Sequence, residues 1–344
     1  MDPFQPSRRS FVATAATMVA APMAAMNSLS ARAADSSSAA SATAVSSLGK
    51  IKQINAGLLS HGYVELGPAG GPPVLLLHGW PYDIHSFVDV APLLAQAGYR
   101  VIVPFARGYG STRFLSAMAV RNGQPAALAQ DAIDLMDALG IQKAIVAGFD
   151  WGARTACILA ALWPDRCNAL VSVSGYLLVN REVNLQPLPP KAELAWWYQY
   201  YFATERGRLG YEKYHRDFAK LIWQQASPQW HFDDATFLRS EVAFDNPDHV
   251  AISIHNYRWR LSLAEGEARY DTIEAKIAAA PNILIPTITM EGDANGAAHP
   301  EPSTYARRFT GHYEHRNLTG GIGHNLPQEA PKAFAQAVID VGHA

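Results

Sequence analysis

From residue 51 onward, short apolar runs alternate with helix-like segments. The pattern predicts strands at Leu59–Leu66, Pro73–Leu77, Arg100–Pro104, Lys143–Ala147, Ala169–Val173, Ile283–Met290 and Tyr313–Leu318, with helices over Ile84–Ala97, Ala126–Leu139 and Gly152–Leu162. The runs Val74-Leu75-Leu76-Leu77, Val101-Ile102-Val103 and Ala144-Ile145-Val146 are apolar at every position, which suits parallel strands covered on both faces. Strand–helix alternation of this kind predicts an α/β fold with a mostly parallel sheet flanked by helices. One stretch breaks the rhythm: residues 176–279 contain no strand-like run and hold Trp196, Trp197, Trp223, Trp230 and Trp259, predicting a helical lid inserted between two strands.

Composition narrows the class. Hydrophobic residues make up 49% of the 344 and charged residues 17%, enough for a sizeable core and the reverse of a disordered composition. The formal charge of −2 leaves no basic excess to neutralise phosphates, so no nucleic-acid partner is expected. Two cysteines, Cys157 and Cys167, cannot build a disulfide framework or a multi-cysteine zinc site, and read as small buried hydrophobes. His215, His231, His255 and His312 show no metal-ligand spacing, and no metal is expected.

Ser7-Arg8-Arg9-Ser10-Phe11-Val12 sets an arginine pair before a mild apolar stretch that ends near Met26, and Ala31-Arg32-Ala33 offers a small-x-small cleavage site. This order resembles a twin-arginine export signal and implies a periplasmic protein without a stable membrane anchor after cleavage. The predicted organisation is an export signal over 1–33, a Ser/Ala-rich lead-in over 34–50, a first core part over 51–175, the lid over 176–279 and a second core part over 280–344.

The candidate chemistry starts at Gly148-Phe149-Asp150-Trp151-Gly152, where a strand runs through a tight turn into a helix. A central reactive residue flanked by glycines in that setting is a nucleophile-elbow context. Three further features follow predicted strands: His78-Gly79-Trp80-Pro81, Asp293 in Glu291-Gly292-Asp293-Ala294-Asn295-Gly296, and His324 in Gly323-His324-Asn325. The chain order nucleophile, acid, histidine, each just past a strand end, joins signals that are weak alone.

On these residues, 51–340 resemble the α/β-hydrolase fold, and the aspartate at the elbow resembles the branch of epoxide hydrolases and haloalkane or haloacetate dehalogenases. Gly-x-Ser-x-Gly occurs nowhere in the chain, which disfavours a serine esterase. The resemblance implies an oxyanion hole from the backbone N–H groups of Trp80 and Trp151, within a loop containing His78, Gly79 and Pro81. It also implies that Asp293 orients His324. In the lid, Tyr198-Gln199-Tyr200-Tyr201-Phe202 resembles the Tyr-Gln-x-Tyr-Phe segment of soluble epoxide hydrolases, and Asn256-Tyr257-Arg258 resembles the site of their second lid tyrosine. Tyr198 and Tyr257 are thereby implied as donors to a ring oxygen, with Phe202 as a substrate contact.

An aspartate suits attack on an sp³ carbon. It is ionised at pH 7 and leaves an ester whose carbonyl belongs to the enzyme, so a histidine-activated water can release the product without any cofactor. The expected reaction is opening of an apolar epoxide, a small-molecule substrate of unspecified size, to a vicinal diol. Hydrolytic dehalogenation is the alternative: Trp151 follows the nucleophile, where haloalkane dehalogenases place a halide-binding indole, and Arg154 matches one of the two arginines that hold the carboxylate in haloacetate dehalogenases. Arg154 is a candidate substrate contact, with pairing to an acidic residue or capping of backbone carbonyls the expected role. A ligand-binding protein on a hydrolase scaffold is the reading from a different class. Arg107-Gly108-Tyr109-Gly110-Ser111 is expected to be structural.

Overall fold

Strands β3 (Pro73–Leu77), β4 (Arg100–Pro104) and β5 (Ala144–Gly148) form the middle of a sheet buried on both faces. Side chains alternate between the faces. Val74, Leu76, Val101, Val103, Ile145 and Ala147 belong to a core shared with Val90 and Leu94 of helix α1 (Val90–Gln96). Leu75, Leu77, Ile102, Ala144 and Val146 belong to a second core, shared with helices α2 (Pro125–Ala138) and α3 (Trp151–Leu162). An unbroken apolar run is what a strand with two buried faces requires. These features come from a computed structural model, which describes residues 45–46, 48–178 and 180–344. The twin-arginine motif, the cleavage site and most of the Ser/Ala-rich lead-in lie outside the described residues.

The remaining strands of five residues or more are β1 (Lys52–Ala56), β2 (Leu59–Leu66), β6 (Cys167–Val173), β7 (Thr287–Gly292) and β8 (Tyr313–Leu318). Their spatial order is β8-β7-β6-β5-β3-β4-β2-β1. Strands β3 to β8 run parallel, and β2 pairs antiparallel with both β4 and β1. The chain leaves β3 toward β4 on one side and later returns to place β5 on the other. The carboxyl ends of β3 and β5 therefore lie together, with Leu77 paired to Gly148. Such a switch in strand order opens a crevice at the sheet's C-terminal edge.

The expected α/β-hydrolase architecture is the observed one. Differences are local. Ile84–Ala97 is not one helix: Asp83 caps a 3₁₀ turn at Ile84–Phe87 by accepting the His85 N–H, and α1 begins afterwards. The strand predicted from Ile283 starts at Thr287, because Ile283 makes only an isolated bridge to Phe309 and Pro286 has no N–H to donate. Polar β1 and helix α9 (Pro331–Gly342), whose Phe334 and Val338 pack on the first core, were not anticipated.

Between β6 and β7 every regular element of the described residues is helical. The main ones are α4 (Trp197–Ala203), α5 (Glu205–Ala226), α6 (Asp234–Glu241), α7 (His249–Arg260) and α8 (Asp271–Ala278). The lid is tied to the core through aromatics. Trp223 of α5 donates its indole N–H to the Pro81 carbonyl at 2.7 Å, and Trp80 donates its own to Tyr211 Oη at 3.0 Å. Tyr211 Oη in turn meets His249 Nε2 at 2.8 Å, and His249 Nδ1 reaches the Gly108 carbonyl at 3.0 Å. A carbonyl on Nδ1 fixes the proton there, so Tyr211 donates to Nε2 and accepts from Trp80. Burial brings His249 down to about 3, which keeps it neutral for this role.

Arg107 is structural, as expected. Its fork meets Asp131 at 2.6 and 2.7 Å, and a further N–H reaches the Asn122 carbonyl. Cys157 and Cys167 are buried and free, and Cys157 Sγ lies 3.4 Å from Ser172 Oγ.

Candidate active site

Asp150 sits at the turn from β5 into α3 with φ 52° and ψ −121°, a left-handed conformation that costs a non-glycine residue of order 1–3 kcal/mol. The sequence makes room for it. A Cβ on Gly152 would lie 1.9 Å from the Leu77 carbonyl oxygen, and one on Gly79 would lie 2.4 Å from Asp150 Cβ. These two glycines let the β3 and β5 loops approach each other.

The approach brings the Trp80 backbone N–H to Asp150 Oδ1 at 2.7 Å. His78 braces this loop: its Nε2 accepts the Ala106 N–H at 3.1 Å, so its Nδ1 carries the proton and donates to the Gly79 carbonyl at 2.9 Å. Pro81 follows Trp80 through a cis peptide bond. The Trp151 side chain is buried, its ring centroid lies 5.8 Å from that of Tyr257, and it does not line the active-site cavity. Burial alone would push the Asp150 carboxyl up. The neighbouring His324, Arg154 and the Trp80 N–H outweigh it and hold the acid below its ordinary value, so Asp150 is ionised near neutral pH.

His324 Nε2 stands 3.5 Å from Asp150 Oδ2. The expected acid is not on its other side. Asp293 is exposed, and its carboxylate accepts the N–H groups of Gly320, Gly321 and Ile322 at 2.9–3.1 Å. His324 Nδ1 meets Asn295 Oδ1 at 3.2 Å. The Asn295 amide is oriented by three further bonds: its Nδ2 donates to buried Glu291 at 2.8 Å and to Ser174 Oγ at 3.4 Å, and its Oδ1 accepts the Ala297 N–H at 2.9 Å. Sequence reasoning stopped two residues short of Asn295, inside the very loop it had singled out.

Tyr198 from α4 and Tyr257 from α7 meet above Asp150 with ring centroids 5.3 Å apart, and both line a cavity of about 360 Å³ with Trp80, Asp150 and His324. Burial, then the charge of Asp150, pushes the Tyr198 hydroxyl up to about 12. Burial, with Tyr198 and Asp150, holds Tyr257 well above its ordinary value. Both are therefore protonated donors. Phe202 is not a substrate contact: it is fully buried, packs against Trp80, Tyr211 and Phe218, and does not line the cavity.

Arg154 departs from expectation as well. Its backbone N–H donates to the Asp150 carbonyl as part of α3, but its guanidinium makes no ion pair or hydrogen bond among the described residues, and the residue lines the cavity close enough for its charge to act on Asp150. Burial, and then Arg260, brings its guanidinium down to about 10. Arg260, which the sequence reading passed over, lines the same cavity one helical turn after Tyr257.

Comparison with known proteins bears on the fold and the family. Residues 72–209 match the family described as alpha/beta hydrolase fold. The crystal structure of a "putative epoxide hydrolase" from Klebsiella pneumoniae is 63% identical, with a TM-score of 0.85, and the match covers 86% of this chain and 98% of that one. Epoxide hydrolase B of Mycobacterium tuberculosis is 37% identical over 150 residues, 40% of this chain and 41% of its own length. A laboratory-evolved variant of potato epoxide hydrolase, 20% identical, shares the fold with a TM-score of 0.66 over 85% of this chain and 98% of that one. The chain belongs to the α/β-hydrolase family. The matched stretches span less than half the length of the curated relatives named as epoxide hydrolases in Mycobacterium tuberculosis and Sus scrofa.

Proposed function

We propose that the protein hydrolyses an epoxide to a vicinal diol through an ester on Asp150. The observation that carries this reading is the pair of protonated tyrosines, Tyr198 and Tyr257, facing an ionised aspartate across one cavity. A halide leaves without a proton, whereas a ring oxygen needs an O–H donor.

Asp150 Oδ1 is held by the Trp80 N–H, which leaves Oδ2 to attack a ring carbon. The new C–O bond forms as the ring C–O bond breaks, and the ring oxygen takes a proton from a lid tyrosine. His324 Nε2 then removes a proton from water as the water oxygen adds to Asp150 Cγ, and the Trp80 N–H stabilises the charge that grows on Oδ1. Collapse breaks the Cγ bond to the diol oxygen, which takes the proton from His324. The proton left on the Asp150 acid returns to the tyrosinate, and one water has been consumed. A neutral amide on Nδ1, from Asn295, keeps His324 in the tautomer whose Nε2 is a free base.

The test is one incubation panel of purified protein with styrene oxide, 1-bromobutane and fluoroacetate, scored for diol and for free halide. Diol without halide is expected; halide without diol would replace this reading with hydrolytic dehalogenation. We also propose export to the periplasm, on the order of twin arginine, apolar stretch and cleavage site. Cell fractionation with Arg8→Lys and Arg9→Lys together tests it: the double variant should stay in the cytoplasm.

A further inference from the structure

Arg154 and Arg260 enter the cavity wall from different elements, α3 of the core and the last turn of α7 in the lid. Among the described residues neither stands in an ion pair or donates a side-chain hydrogen bond, and the Nε of each is sealed from solvent without a partner. Arg260 is only 5% exposed and touches the faces of Trp196 and Tyr257. Buried Arg107 shows what a structural arginine looks like in this fold, with its fork matched to Asp131. Leaving two guanidiniums unmatched is costly unless something supplies the anion. Within the cavity the one carboxylate is Asp150, set against Arg154, Arg260 and Lys191. Esterification removes even that charge.

We propose that the substrate brings its own anion. It is an epoxide bearing a carboxylate, seated with the carboxylate on the Arg154 and Arg260 guanidiniums and its ring between Asp150 and the two tyrosines. This rests on the epoxide reading above and replaces the purely apolar substrate suggested by the aromatic lid. A planar carboxylate matches guanidinium forks in geometry as well as in charge, and the placement explains why one arginine belongs to each half of the cavity.

Binding can be read apart from turnover. Calorimetric titration of the purified protein with 3-phenylpropanoate and with 3-phenylpropanamide should show the acid binding at least about tenfold tighter, with the difference shrinking as salt rises. Arg154→Met and Arg260→Met should each bring the acid-to-amide ratio toward one, while Arg260→Lys should keep part of it. In turnover, 3-phenylglycidate should exceed its amide in kcat/KM by a similar factor. Equal binding of acid and amide to the wild-type protein would overturn the proposal without any variant. So would variants that slow the acid and amide epoxides by the same factor, which would place the arginines on the reacting oxygen instead. Preferential acid binding with no diol from either epoxide would keep the anion site and overturn the epoxide reading. Diol from both epoxides, with neither preferred, would do the reverse.

Discussion

His324 Nδ1 rests on the amide oxygen of Asn295 at 3.2 Å, while the carboxylate of Asp293, two residues away, is taken up by the N–H groups of Gly320, Gly321 and Ile322. The histidine is thus oriented by an amide that buried Glu291 aligns. Asn295→Ala should slow ester hydrolysis by about 10²-fold, with the covalent intermediate building up during turnover. Asp293→Ala should instead lower the melting temperature, by the equivalent of about 1 kcal/mol, and leave hydrolysis within about twofold. Pre-steady-state kinetics with mass detection of the adduct separates the two. Accumulation in Asp293→Ala and not in Asn295→Ala would return the orienting role to Asp293.

The lid tyrosines and the histidine act on different half-reactions. Tyr198→Phe and Tyr257→Phe should each reduce ring opening by about 10- to 10³-fold with no adduct accumulating, because the step before the ester is the slow one. Quenched-flow single turnovers measure this directly. An accumulating ester in either variant would move that tyrosine to the second step.

Much of this site was legible before the structure, and the reason is local geometry. The elbow is a strand, a turn and a helix in one continuous segment, and Gly148 and Gly152 mark the close approach that the turn requires. The choice between Asp293 and Asn295 was not legible, because it depends on how the loop after β7 meets the turn at Gly320–Ile322, far along the chain. The unmatched arginines were hidden differently. That Arg154 has no partner is a fact about everything around it, although Arg260, one helical turn after Tyr257, could have been placed on the cavity side from spacing alone. Polar β1 escaped because an edge strand with a solvated face carries little hydrophobic signal.

Gly79 holds the nucleophile in place by having no side chain. Gly79→Ala would set a Cβ 2.7 Å from Asp150 Oδ1, the atom that the Trp80 N–H binds. Such a misplacement can cost about 10²-fold in rate. The expected result is that loss in kcat with an unchanged circular dichroism spectrum; full activity would show that the loop and Asp150 have slack.

Glu274 supplies a pH signature remote from the chemistry. Burial pushes its carboxyl up to about 7, and it accepts the Ala126 N–H at 2.9 Å. A folded value above the unfolded one means that the native state holds the proton more tightly. The associated stability is complete below about pH 4.5 and is lost as the pH rises toward 7, at most roughly 3 kcal/mol. Thermal unfolding at pH 5 and pH 8 should show a larger drop for the wild type than for Glu274→Gln, whose amide oxygen keeps the Ala126 bond. Equal drops would remove Glu274 as the cause.

The central claim is the ester on Asp150. His324→Gln keeps the nucleophile and removes the base, so on incubation with styrene oxide its intact mass should rise by one substrate mass. Peptide mapping should place the increment on the segment containing Asp150, and Asp150→Asn in the same background should show none. A diol-forming protein whose His324→Gln variant gains no mass, or gains it on another residue, would contradict the account.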